Sequence, residues 1–204
     1  MKEGVRGRDI VIGQGVPRRG GRVSRAIVLW MHERAGWRFE GHIPDVSRFV
    51  LIGGPHTSNW DFVLAMAVVF GLGLRCRWIG KHTIFRGPMG PILRWAGGIP
   101  VNRSRPGRLV PDVVTQFASH DAFVVGLSPE GTRSKVSQWK TGFHRIATGA
   151  GVPVLPTYID AARKVVGFGP IVHLTDNRDA DIRKLQEFYA RFTPIRPENT
   201  VPGA

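Results

Sequence analysis

The stretch RFVLIGGPHTSNWDFVLAMAVVF, residues 48–70, decides how the fold is read. It opens on an apolar run at residues 49–52, closed off by Gly53, Gly54 and Pro55, which predicts a buried strand ending in a tight turn. The apolar pattern then resumes at Phe62 and runs to Leu74 without a charge, which is too long for a strand and predicts a buried helix over residues 59–70. At 13 residues this run falls short of the roughly 20 needed to span a bilayer. Between strand and helix, Ser58-Asn59-Trp60-Asp61 matches a capping box, with Ser58 as N-cap and Asp61 at the third helical position.

The same alternation continues outward. Strands are expected at residues 76–79, 99–102, 123–127, 154–159 and 165–168, and helices at 90–95, 111–120, 142–149 and 180–192. Short apolar strands alternating with helical segments predict an α/β fold, a single domain with a mostly parallel central sheet flanked by helices. Residues 1–21 are rich in Gly and Arg with little apolar periodicity, so they are expected to form a flexible basic arm ahead of a domain spanning residues 22–204. Over residues 22–39, Val23, Ile27, Trp30 and Met31 recur at helical spacing with Arg22, Arg25 and Arg34 between them. This predicts a basic helix that either lies at an interface or packs Trp30 and Met31 onto its own domain.

With 204 residues and 42% apolar content the chain is long enough to build a core. The single cysteine, Cys76, excludes an internal disulfide framework, and no Cys/His cluster stands at zinc spacing, so no metal is expected. The six-residue apolar stretch AIVLWM is too short for the core of a signal peptide, so a cytoplasmic chain, soluble or peripheral, is expected. Net charge is +14, with 18 Lys/Arg against 6 Asp/Glu in residues 1–110 and 11 against 9 in the remainder. Such a field favours anionic partners: phosphate substrates, an anionic membrane surface or nucleic acid. No nucleic-acid-binding motif is visible, and no nucleic-acid partner is expected.

His56 and Asp61 stand five positions apart. On one ideal helix that spacing turns through about 500° and leaves the side chains roughly 140° apart, so they could not meet. They can meet if His56 lies in the turn and Asp61 in the first turn of the helix. A neutral imidazole can accept a proton from a hydroxyl, and a carboxylate on its other nitrogen sets the tautomer and stabilises the imidazolium. The capping box accounts for Ser58 and Asp61 without chemistry, but it leaves His56 unexplained. No serine or cysteine nucleophile of elbow type precedes the pair, so the acceptor hydroxyl would belong to a substrate.

Two further stretches carry anion-binding groups. After the predicted strand at 123–127 comes SPEGTRS, residues 128–134, which combines the backbone freedom of Gly131 with hydroxyls and the Arg133 guanidinium. A polar turn pairing Glu130 with Arg133 is the alternative. GGIPVNRS, residues 97–104, ends a strand near Arg103, whose planar fork suits phosphate.

Taken in order, HTSNWD, IFRGPMGPILRWAGGIPVNRS, SPEGTRS and KTGFHRIATGAGVPVLPTYI resemble the four blocks of the glycerolipid acyltransferases, the H-x4-D family that includes 1-acylglycerol-3-phosphate O-acyltransferase. The resemblance spans about residues 48–160. It implies that His56 is the general base, that Asp61 orients it, and that Arg103, Glu130, Gly131, Thr132 and Arg133 bind the phosphate of a lysolipid acceptor. It further implies acyl-CoA or acyl carrier protein as acyl donor, no cofactor beyond that co-substrate, and peripheral attachment to the cytoplasmic face of a membrane. Two positions depart from the family pattern: Ser128 replaces a common aromatic, and Trp60 replaces a small or polar residue.

Overall fold

Strand β2 (Arg48–Gly54) and helix α2 (Asn59–Gly71) form where the opening stretch predicts them. The structure, a computed structural model, describes residues 4–102, 107–131 and 138–199. Among these residues the remaining strands are β1 (Arg38–Glu40), β3 (Cys76–Lys81), β4 (Gly98–Val101), β5 (Phe123–Leu127), β6 (Val154–Asp160) and β7 (Val165–Phe168). They join β2 in one sheet of order β1-β7-β6-β2-β5-β3-β4, in which β6 and β7 pair antiparallel and every other neighbouring pair is parallel. The expected α/β class and mostly parallel sheet are therefore present. Both faces of the central strands are covered, which is why β2, β5 and β6 read as unbroken apolar runs rather than alternating ones.

Helices α4 (Leu109–Ala118), α5 (Gly142–Ala150) and α6 (Arg178–Tyr189) bring Phe117, Phe143, Ile146, Leu185 and Tyr189 onto one face, against Val50, Ile52, Val125 and Val154. On the other face α2 contributes Val68, Val69 and Leu72, which pack with Phe39, Ile43, Phe49, Val124 and Leu155. Phe143 is fully buried; truncating such a ring to alanine costs about 3–5 kcal/mol. Cys76 lies in this second core, and burial pushes its thiol up to about 12. It is thus held as a protonated, unreactive thiol.

Two expectations are corrected, and an alternative left open for the first helix is decided. The basic arm is not loose from Gly4 onward: Val5 bridges Phe39, Ile12 bridges Ile43, Arg18 bridges Leu74, and Val16 is buried in the second core. Its few apolar residues are spaced irregularly because the segment makes isolated bridges to β1, to Ile43 and to Leu74 rather than following a helix period. Helix α1 (Arg22–Arg34) stops well before residue 39, because Gly36 at φ 81° turns the chain into β1. Finally, Val23, Ile27, Trp30 and Met31 do not pack on the domain. They are 54–74% exposed, while α1 turns His32 inward to stack on Phe39 at 4.6 Å between ring centroids. Burial there pushes His32 down to about 4.

Helix α2 is likewise only half covered, with Trp60 and Val63 facing out. Its partner α3 (Gly90–Trp95) stacks Trp95 on Phe70, and Arg19 lies over both rings at 4.8 and 5.1 Å. Among the described residues no helix is long and apolar enough to cross a membrane.

Candidate active site

The site forms where the chain leaves β2 at the centre of the sheet. Ligand sites in open parallel sheets collect beyond the carboxyl ends of the strands, and both the loop after β2 and the loop after its neighbour β5 open there. The loop after β2 passes through the cis Gly54–Pro55 peptide to His56, and α2 starts three residues later.

Ser58 caps α2, its Oγ accepting from the Trp60 N–H at 3.2 Å. Asp61 is buried at the third helical position, where its Oδ2 accepts from the N–H groups of Thr57 and Ser58, both at 2.6 Å. The same oxygen lies 3.5 Å from Nδ1 of His56. Capping and histidine contact are therefore not alternatives, since one carboxylate does both. The cap locks Asp61 in place, and the locked carboxylate faces the imidazole. At 3.5 Å the His–Asp contact is long, as such contacts commonly are before substrate tightens them. The His56 side chain is 26% exposed and Asp61 only 3%, so the imidazole can meet a substrate while the carboxylate cannot.

Glu130 enters from the loop after β5. Its carboxylate accepts from the main-chain N–H of His56, with Oε1 at 3.0 Å and Oε2 at 3.2 Å. Burial pushes its carboxyl up to about 7, the His56 N–H pulls the other way, and the nearby Asp61 charge adds to the rise. The family resemblance implied a phosphate-binding role for Glu130. In the structure its carboxylate ties the two loops together, an arrangement that sequence spacing alone does not reveal. Gly131 follows at φ 67°, a backbone region that favours glycine, and its N–H bonds to the Ser128 carbonyl to close the turn. Arg103, Thr132 and Arg133 lie outside the described residues.

A second His/Asp pair was not singled out in the sequence. His144 Nε2 on α5 lies 3.1 Å from Asp181 Oδ2 on α6, and that oxygen also accepts from the N–H and hydroxyl of Thr175. Both side chains are under 10% exposed. Exposure separates the two pairs: His144 and Asp181 fasten α5 to α6, whereas His56 opens on the strand ends.

A histidine held by a helix-capping carboxylate thus stands at the carboxyl end of a central parallel strand, and the Acyltransferase family profile matches residues 37–160. The chain belongs to that family. It is 30% identical over 132 residues to the 1-acyl-sn-glycerol-3-phosphate acyltransferase of Haemophilus influenzae, a match covering 59% of this chain and 53% of that protein. The chain thus spans about half the length of this curated relative. The fold is also similar to the crystal structure of PlsC, the 1-acyl-sn-glycerophosphate acyltransferase of Thermotoga maritima, with a TM-score of 0.57 at 21% identity, covering 83% of this chain and 81% of that one.

Proposed function

We propose that this chain transfers a fatty acyl group from a thioester, acyl-CoA or acyl carrier protein, to the hydroxyl of a lysophospholipid at a membrane surface. The observation that carries this is the His56 imidazole, part-exposed at the end of β2 with Nδ1 on a buried, doubly anchored carboxylate. With Nδ1–H directed at Asp61, Nε2 takes the proton of the acceptor hydroxyl as its oxygen attacks the thioester carbonyl. The tetrahedral intermediate then collapses, the C–S bond breaks, and the thiolate leaves with the proton that His56 returns. Asp61 stabilises the imidazolium in between.

The 30% identity to a 1-acyl-sn-glycerol-3-phosphate acyltransferase favours a phosphorylated acceptor. Arg103 and Arg133 are the guanidinium groups proposed to hold its phosphate, with Gly131 and Thr132 beside them. The exposed apolar side chains of α1, α2 and α3, set among arginines, suit peripheral attachment to an anionic cytoplasmic leaflet. The test is thiol release from acyl-CoA with 1-acylglycerol-3-phosphate vesicles. His56→Ala is expected to abolish it with melting temperature held; wild-type turnover in that variant refutes the base assignment.

A further inference from the structure

We infer that residues 193–199, which lie beyond the family's matched region, form a strap that positions the His56 loop for catalysis. This rests on His56 being the base. After α6 the chain crosses from one face of the sheet to the other. It is pinned first at Thr193, whose carbonyl accepts from the Ala161 N–H at 2.8 Å. Ile195 then packs against the core of the α2 face.

The next residues close on one target. The Arg196 main-chain N–H donates to the Thr57 hydroxyl at 3.1 Å, and Asn199 Nδ2 donates to the Thr57 carbonyl at 3.0 Å. Thr57 is 1% exposed and sits between His56 and the capping residue Ser58. Its own N–H is already bound to Asp61. Thr57 is therefore held through N–H, C=O and hydroxyl at once, and His56 beside it is held through its N–H by Glu130.

The geometry gives each hold a separate task. Asp61 sets where the loop meets the helix, Glu130 sets the loop's height over β5, and the strap fixes the Thr57 peptide on the side away from β5. Without the strap, the Thr57 carbonyl and hydroxyl lose their partners and Asp61 alone holds the Thr57 and Ser58 N–H groups, so the loop can shift about that one anchor and carry the His56 ring with it on a contact that is already long. Positioning of this kind acts on turnover rather than on binding, since the strap's bonds go to the loop and not to a substrate group.

The test uses Asn199→Ala, Thr57→Val and Thr57→Ser in the full chain, with kcat and KM measured for both substrates and His56 ring signals followed by NMR after assignment with His56→Ala. Asn199→Ala and Thr57→Val are expected to lower kcat on the order of tenfold while both KM values stay within about twofold, and Thr57→Ser, which keeps the acceptor hydroxyl, to restore turnover. The His56 ring signals should shift in the two damaging variants and return in Thr57→Ser. Unchanged kcat and ring signals in both Asn199→Ala and Thr57→Val overturn the strap, as does a kcat loss that Thr57→Ser shares. An active His56→Ala refutes the base assignment instead; the ring signals then decide the strap alone, and unmoved signals overturn it.

Discussion

Replacing Asp61 by asparagine separates the two jobs of one carboxylate. Oδ2 accepts two 2.6 Å main-chain bonds and faces the His56 Nδ1 at 3.5 Å. The amide keeps one acceptor oxygen but loses the charge, and its NH2 group cannot accept at all. If the oxygen stays on the Thr57 and Ser58 N–H groups, those bonds weaken from charge-assisted to neutral. At about 1.5–3 kcal/mol for the first kind and 0.5–1.5 for the second, the loss comes to about 2 kcal/mol for the pair. That corresponds to a fall of about 4–8 °C in melting temperature for a chain of this size. Because that same oxygen also faces Nδ1 at 3.5 Å, the uncharged amide no longer stabilises the imidazolium, while a flipped amide would set NH2 against Nδ1 and leave the proton on Nε2, the nitrogen that should receive one. Turnover should fall by a factor on the order of 10³ to 10⁴, the scale known for such a swap in a serine-protease triad. Ser58→Ala supplies the control, since it removes the 3.2 Å cap bond, costs about 1 kcal/mol, and leaves the carboxylate in place. Calorimetry and thiol release on the two variants decide the matter. If both lose turnover only in proportion to their melting temperatures, Asp61 is a cap and nothing more.

Three other outcomes are expected. Glu130 has its folded-state pKa raised from 4.5 to about 7, so its contribution to stability is fully present below pH 4.5 and is lost as pH rises through 7. Glu130→Gln keeps an acceptor for the His56 N–H without the charge, so its melting temperature relative to wild type should climb between pH 4.5 and 7 and then level off; a flat difference refutes the burial argument. Arg133→Ala should lower kcat/KM on the order of tenfold to a hundredfold with a phosphorylated acceptor and far less with one lacking phosphate, as should Arg103→Ala, while an equal loss in Arg94→Ala would show general attraction instead. Trp30→Ser with Ile27→Ser should leave the melting temperature within about 1 °C, because both side chains face outward, yet reduce co-sedimentation with anionic vesicles; unchanged co-sedimentation speaks against α1 as a membrane contact.

The strand and helix alternation was legible because burial on both sheet faces writes long apolar runs into β2, β5 and β6. β1 was not, since its three residues offer one buried phenylalanine between Arg38 and Glu40. At the site, His56 and Asp61 could be paired from spacing and turn chemistry, because both belong to one short segment. The Glu130 hold on a main-chain N–H and the Arg196 and Asn199 holds on Thr57 could not. They join residues 74 to 142 positions apart and use backbone atoms that every residue possesses. The outward face of α1 was ambiguous for a different reason, since apolar periodicity marks a stripe without saying whether protein or something else covers it.

The bridge between Val5 and Phe39 bears on how the protein behaves at high concentration. Strand β1 is the last of the sheet on its side, and the Phe39 N–H and carbonyl that point away from β7 are occupied by Val5 at 2.8 and 2.7 Å. A chain begun at residue 22 would leave that edge open, along with the apolar surface that Ile12 and Val16 cover. Open edges of this kind pair with one another between molecules. Such a shortened chain should therefore self-associate through β1 and precipitate on standing, for reasons unrelated to lipid.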